Sequence, residues 1–192
     1  MVYEGRIGTL GDNNGCLTCS MYIAQKWYKY KEIIPYLTFE AAAFDLKRDR
    51  LSSVLVPAAY PKISEFIMDK ELVAKEVFIE QIPPLVCVRK YSENDKGVVN
   101  KIYLHQATYK LLDDLEIESQ KVKISFVNSN IEACQCLLRN GRENSVAITN
   151  KLCADYYALN IIKELRNGVF MPWVCFRKME RGNYEEGCNY CR

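Results

Sequence analysis

Apolar and polar positions alternate along this chain in two rhythms that take turns. A period of two runs through "KVKISFVNS" (121–129), a strand, while "RIGTL" (6–10), ending in Gly11, "SSVLVP" (52–57), buried and stopped by Pro57, and "NSVAIT" (144–149) read as short strands. A period near 3.6 marks helices over Thr18–Tyr30, where Met21, Ala24, Trp27 and Tyr28 recur, and over "FEAAAFDLKRD" (39–49). "NIEACQCLLRNG" (130–141) and "NKLCADYY" (150–157) read the same way, and "QATYKLLDDLEIES" (106–119) is expected to be a helix with Leu111, Leu112 and Leu115 on one face. "YLTF" (36–39) is a brief strand, and 72–90 is two strands broken at Pro83-Pro84. "VNKIYLHQ", "ALNIIKEL" and "FMPWVCFRKM" supply three more strands, followed by a polar tail from Glu180 that is expected to be mobile.

Strands alternating with helices predict an α/β fold with mainly parallel sheets. Helices open directly after strands at Thr18, Thr38, Gln106, Ser129 and Asn150. Ligands of such folds sit beyond the carboxyl ends of strands, against helix N-termini whose free N–H groups favour anions. The pattern therefore points to a protein that binds a small anion.

Composition removes several classes. In 192 residues the formal net charge is +2, with both signs interspersed, so a nucleic-acid partner is not expected. No apolar run approaches a membrane span. The opening "MVYEGRIGTLG" has an early acid and no apolar stretch, so no signal peptide and a cytoplasmic setting are expected. Nine cysteines then read as reduced thiols, with Cys87, Cys153 and Cys175 as small buried hydrophobes. Cys16/Cys19 and Cys188/Cys191 form two C-x-x-C pairs with the makings of a four-thiolate zinc site, but their loop and tail settings make no metal the expectation.

"TLG" (9–11), "TCS" (18–20), "VPAAY" (56–60), "LHQA" (104–107), "VNSNIEA" (127–133) and "VAITNKLCADYYALNII" (146–162) follow one another in an order that resembles the prephenate dehydratase domain family. That family has a Gly-Pro-x-Gly-Thr-x-Ser opening, a His-Pro-Gln-Ala segment, a Ser-Thr-Ala helix start and a Tyr-Gly-Leu. The resemblance covers almost the whole chain and is closest to the prephenate decarboxylases of bacilysin (anticapsin) antibiotic biosynthesis. Those share Val-Pro-x-Ala-Tyr, Val-Asn-Ser, Thr-Asn and a Met-x-Trp where dehydratases carry Thr-Arg-Phe; here the segment is Met171-Pro172-Trp173. Two departures stand out: "DNNGCL" (12–17) is longer than the family's loop and lacks its proline, and Pro172 replaces an expected serine.

The resemblance implies a two-lobed, periplasmic-binding-protein-like fold with a hinge cleft. Residues 1–84 and 166–192 would form lobe one and 85–165 lobe two, with no regulatory domain. It implies a cofactor-independent carboxy-lyase acting on prephenate. In dehydratases the Thr of Thr-Arg-Phe helps protonate the departing hydroxyl; Met and Pro offer no proton and Trp only an indole N–H. Loss of CO2 would then end with a proton on a ring carbon and a non-aromatic dihydro-4-hydroxyphenylpyruvate. Thr18, Ser20, Asn128, Ser129 and Asn130 would clamp the pyruvyl carboxylate, Arg89 would counter the second charge, and Met171 and Trp173 would wall the leaving carboxylate. His105, the single histidine, or Tyr60 would deliver the proton. The same residue types also have ordinary work to do: Thr, Ser, Asn and His cap helices, and Met and Trp fill cores. A dehydratase with a divergent acid and a non-catalytic carboxylate-binding module remain the alternatives. Family members are commonly homodimers, and no pattern in the sequence specifies an interface.

Overall fold

The computed structural model describes residues 5–11, 17–91, 98–115, 122–140 and 144–180. It divides into two compact units, Met1–Gly15 with Ile23–Glu80 and Met171–Arg192, and Cys16–Tyr22 with Gln81–Phe170. Each carries one five-stranded sheet. The expected α/β architecture with two sheets is what the chain adopts.

In the first unit the strands are β1 (Arg6–Leu10), β2 (Glu32–Tyr36), β3 (Ser53–Pro57), β4 (Leu72–Gln81) and β10 (Phe170–Lys178), in the order β2-β1-β3-β10-β4. β1 runs parallel to β2 and β3, and β10 returns antiparallel with Trp173 opposite Pro57 and Cys175 opposite Leu55. Pro35 is tolerated because β2 is an edge strand. Helix α2 (Phe39–Lys47) buries Phe39, Ala42, Ala43 and Leu46, one face at helical spacing, against Val54, Val56, Val174 and Phe176. The Thr38 side chain caps it, accepting from the Ala41 N–H at 3.1 Å. Gly8 is what lets β1 lie close: a Cβ there would sit 2.6 Å from Leu51 Cδ1. The expected "YLTF" strand instead ends at Tyr36, because Leu37 is exposed, Thr38 is committed to the cap and Phe39 to the helix.

In the second unit the strands are β5 (Leu85–Arg89), β6 (Lys101–His105), β7 (Lys123–Val127), β8 (Ser145–Asn150) and β9 (Asn160–Arg166), in the order β7-β6-β8-β5-β9. β6, β7 and β8 are parallel; β5 is antiparallel to β8 and β9. Every residue of β8 is buried, as a central strand covered on both faces should be. Helices α4 (Asn130–Asn140) and α5 (Lys151–Tyr156) cover one face, packing Ile131, Cys134, Leu137 and Cys153 with Val86, Val88, Tyr103 and Ala147. Segment 106–114 is helical, but of 3₁₀ type: the residues it buries, Thr108 and Leu111, are three apart, as side chains that eclipse at i and i+3 require, and Leu112 is only half-buried. The remaining helices are α1 (Cys19–Trp27) and the short α3 (Ile63–Ile67). α1 is divided between the units, its first turn belonging to the second and the rest to the first. No helix among the described residues is long and apolar enough to cross a membrane.

Candidate active site

The three parallel strands of the second unit end side by side. β6 ends at His105, which is in register with Val127 at the end of β7, and β8 ends at Asn150. Their carboxyl edge therefore gathers His105, the Asn128–Asn130 segment and the Thr149-Asn150 pair, the location at which α/β sheets bind ligands.

Each of these residues is fixed by local chemistry. Ser129 Oγ accepts from the Glu132 N–H at 3.0 Å and Glu132 Oε2 accepts from the Asn128 N–H at 2.7 Å, a reciprocal arrangement close to a capping box that orders the start of α4. Thr149 donates through Oγ1 to the Asn130 carbonyl at 2.9 Å, tying that turn to β8. Asn150 caps α5, its Oδ1 accepting from the Cys153 N–H at 2.9 Å. The first turn of α1 is held on the same edge: Asn150 Nδ2 donates to the Leu17 carbonyl at 2.8 Å, and the amides of Asn150 and Asn130 lie 3.8 and 3.9 Å from Cys19 Sγ. Thr18 is buried and caps α1, accepting from the Met21 N–H at 3.0 Å, and Ser20 is buried beside it. Burial pushes the Cys19 thiol up to about 11 despite the two amides, so at neutral pH it is held as a neutral, slowly reacting thiol.

The sequence-predicted clamp residues Thr18, Ser20, Asn128, Ser129 and Asn130 are thus brought to one edge of one unit. The structure adds Cys19, Thr149 and Asn150, which sequence reasoning left out of the site. The signal for Asn150 was present: an asparagine between a strand and a helix start.

His105 stands at that edge too. Its Nδ1 accepts from the Ala107 N–H at 3.2 Å, so the neutral ring carries its proton on Nε2. Burial lowers its pKa below the ordinary histidine value.

Arg89 is a correction. β5 runs antiparallel to β8, so Leu85 lies opposite Asn150 while Val88 pairs with Ala147. Arg89, at the end of β5, therefore stands at the amino edge of β8, about 13 Å along the strand from the level of Leu85 and Asn150 at roughly 3.3 Å per residue. This sets it away from the edge that gathers the clamp residues, against the expectation that it counters the second charge beside them.

In the first unit, the parallel strands end at Leu10, Tyr36 and Pro57, and β10 enters along the same edge. Met171 is half-buried, Pro172 is exposed and its carbonyl accepts from the Ala58 N–H at 2.9 Å, and Trp173 is fully buried. The indole Nε1–H of Trp173 has no hydrogen-bond partner among the described residues. The expectation of Trp173 as a wall facing substrate is corrected to a core side chain in this conformation. Tyr60 is also corrected: its ring packs against Phe39 and Phe66 and its hydroxyl donates to Glu40 Oε1 at 2.6 Å. Burial first, and the Glu40 carboxylate second, raise its pKa above the usual phenol value, so it is not poised to give up a proton. A broad groove of this unit, lined by Lys31, Lys47, Asp49, Lys70, Glu71 and Arg177, contains none of the expected site residues. Of the two C-x-x-C pairs, only Cys19 lies among the described residues, and the tail beyond Glu180 lies outside them.

No family model matches the chain. A curated relative, the prephenate decarboxylase of Planktothrix agardhii (strain NIVA-CYA 126/8), is 27% identical over 179 residues, covering 90% of this chain and 87% of the relative. Among solved structures, a prephenate dehydratase from Arthrobacter aurescens in complex with L-Phe superposes with a TM-score of 0.66 at 13% identity, over 91% of this chain. This chain spans 61% of that protein's length. The prephenate dehydratase of Staphylococcus aureus subsp. aureus Mu50 gives 0.61 at 13% identity, covering 92% of this chain and 68% of that one. The methionine-binding protein MetQ gives 0.55 at 12% identity over 94% of this chain and 85% of its own, so the fold is also that of substrate-binding proteins. The ordered sequence motifs, the similarity to a prephenate decarboxylase and the fold shared with two prephenate dehydratases together make this chain similar to the prephenate dehydratase-like proteins.

Proposed function

We propose that this chain decarboxylates prephenate without aromatising it, releasing CO2 and a dihydro-4-hydroxyphenylpyruvate. The bond to the ring carboxylate breaks, its electron pair moves into the ring diene, and one ring carbon takes up a proton while the hydroxyl stays. As CO2 leaves, the two ring double bonds flanking that carbon delocalise the electron pair, so the step calls for no cofactor. One observation carries the reading: the segment that bears a threonine in dehydratases is Met171-Pro172-Trp173, and it offers no hydroxyl and no ionisable group to a departing alcohol.

The pyruvyl carboxylate is assigned to the carboxyl edge of the second unit, where the first turn of α1 and the start of α4 supply N–H groups and the Asn130 Nδ2 donor meets, among the described residues, a thiol at 3.9 Å, a weak acceptor. With the Tyr60 hydroxyl committed to Glu40, the proton comes from His105 Nε2 or from a water it orients. The similarity to a prephenate decarboxylase supports the reaction; the motifs shared with the bacilysin-type decarboxylases support a specialised pathway of that kind, and a cytoplasmic setting belongs to the same reading.

Incubation of the purified chain with prephenate, with CO2 and ring products followed together, tests the proposal. CO2 with retention of the ring hydroxyl is the expected result; phenylpyruvate as product identifies a dehydratase. A second reading, a carboxylate-binding module without turnover, draws on the fold shared with MetQ and on the low basicity of His105. Thermal stabilisation by prephenate with no product formed would favour it.

A further inference from the structure

Asn150 is fully buried and uses both ends of its amide. Oδ1 caps α5 through the Cys153 N–H, three residues away. Nδ2 reaches 133 residues back to the Leu17 carbonyl, with Cys19 Sγ at 3.8 Å as a weaker second acceptor. A helix cap needs only a side-chain oxygen, which serine or aspartate would supply equally. The amide donor is what α5 does not need, and it is spent on the segment that opens α1. Cys153 Sγ reinforces that hold by donating to the same Leu17 carbonyl at 3.3 Å, and Asn130 approaches Cys19 from α4. These bonds account for the first turn of α1 grouping with the second unit while the rest of the helix does not.

We propose that Asn150 is a positioning residue: through Leu17 and Cys19 it fixes the first turn of α1 beside the start of α4, so that the N–H groups of both face one substrate carboxylate. This rests on the anion site assigned under Proposed function. It touches no reacting atom, and its effect belongs to binding and orientation.

The test uses Asn150→Ser, which keeps a capping oxygen and removes the amide donor. Two readouts are paired: the rate at which iodoacetamide alkylates Cys19, assigned by peptide fragmentation, and the prephenate Kd from ligand-induced thermal stabilisation. We expect a folded protein in which Cys19 alkylation accelerates and Kd rises, each about tenfold or more, with any kcat changed less than KM. Unchanged alkylation, or faster alkylation with unchanged Kd, overturns the positioning role and leaves the decarboxylase reading intact. If the unaltered protein binds prephenate without turning it over and Asn150→Ser still weakens binding, the decarboxylase reading falls and the positioning role stands. If the unaltered protein does not bind prephenate at all, both fall. Asn150→Asp, which sets a carboxylate against the Leu17 carbonyl, should exceed Asn150→Ser in both effects.

Discussion

The hydroxyl of Tyr60 donates to Oε1 of Glu40 at 2.6 Å, while Lys62 Nζ approaches the same oxygen at 3.4 Å. A side chain that family resemblance marks as a proton donor is thus tied into a small charged network on the α2 side of its unit. Tyr60→Phe removes a hydrogen bond to a charged acceptor. It should lower stability by about 1.5–3 kcal/mol at most, less if water reaches Glu40, and change kcat only a few-fold. Denaturant unfolding alongside steady-state kinetics checks this; a kcat loss of about a hundredfold would return Tyr60 to the chemistry.

His105 gives a pH signature with a definite sign. Its folded pKa lies below the ordinary value near 6.5, so below that pH the unfolded chain binds protons the folded chain refuses. Stability should fall as pH drops through about 6.5 toward the lower folded value, because burial disfavours the charged ring, which moreover could not accept from the Ala107 N–H. His105→Asn keeps a capping side chain and removes the titration. Its Tm should change less than that of the unaltered chain between about pH 7.5 and about pH 5.5. If His105 supplies the proton, its kcat should fall by about a hundredfold or more.

Trp173 is an unequal test of shape against polarity. Trp173→Phe trims volume but abolishes a buried donor that has no partner among the described residues, and an unsatisfied group costs about 1–3 kcal/mol. The two effects oppose, so Trp173→Phe should stay within about 1.5 kcal/mol of the unaltered chain, while Trp173→Ala should lose about 3–5 kcal/mol. Urea midpoints of the two variants separate these cases.

Gly8→Ala should destabilise by about 1–3 kcal/mol, since its Cβ would meet Leu51 Cδ1 at 2.6 Å with Ala42 and Tyr36 at 3.1 Å. Leu51→Ala in the same chain should recover part of the clash while exacting its own cavity penalty, a non-additivity that a double-mutant cycle reads directly.

Ala158 sits at φ +49°, left-handed backbone, just after α5 and where the resembled family has the glycine of Tyr-Gly-Leu. Ala158→Gly should raise stability by about 0.5–1 kcal/mol, the left-handed strain relieved less the added freedom of the unfolded chain. A higher Tm with unchanged kinetics is the expected result.

The sequence by itself determined where β1, β3, β8, α2 and α4 lie: the helices through apolar residues spaced to bury one face, the strands as short apolar stretches bounded by turn residues, both local signals. It also marked Thr18, Thr38, Ser129 and Asn150 as helix starts, since capping chemistry acts over three residues. The tertiary structure alone decided what those residues hold beyond their own helices. Strand direction moved Arg89 to the far edge of its sheet, as the antiparallel return of β5 is not encoded in the strand's own pattern. Packing turned the Tyr60 hydroxyl to Glu40 and enclosed Trp173. The bond from Asn150 to Leu17 joins residues 133 positions apart, a distance at which no local rule operates and only the closing of the chain on itself selects a partner.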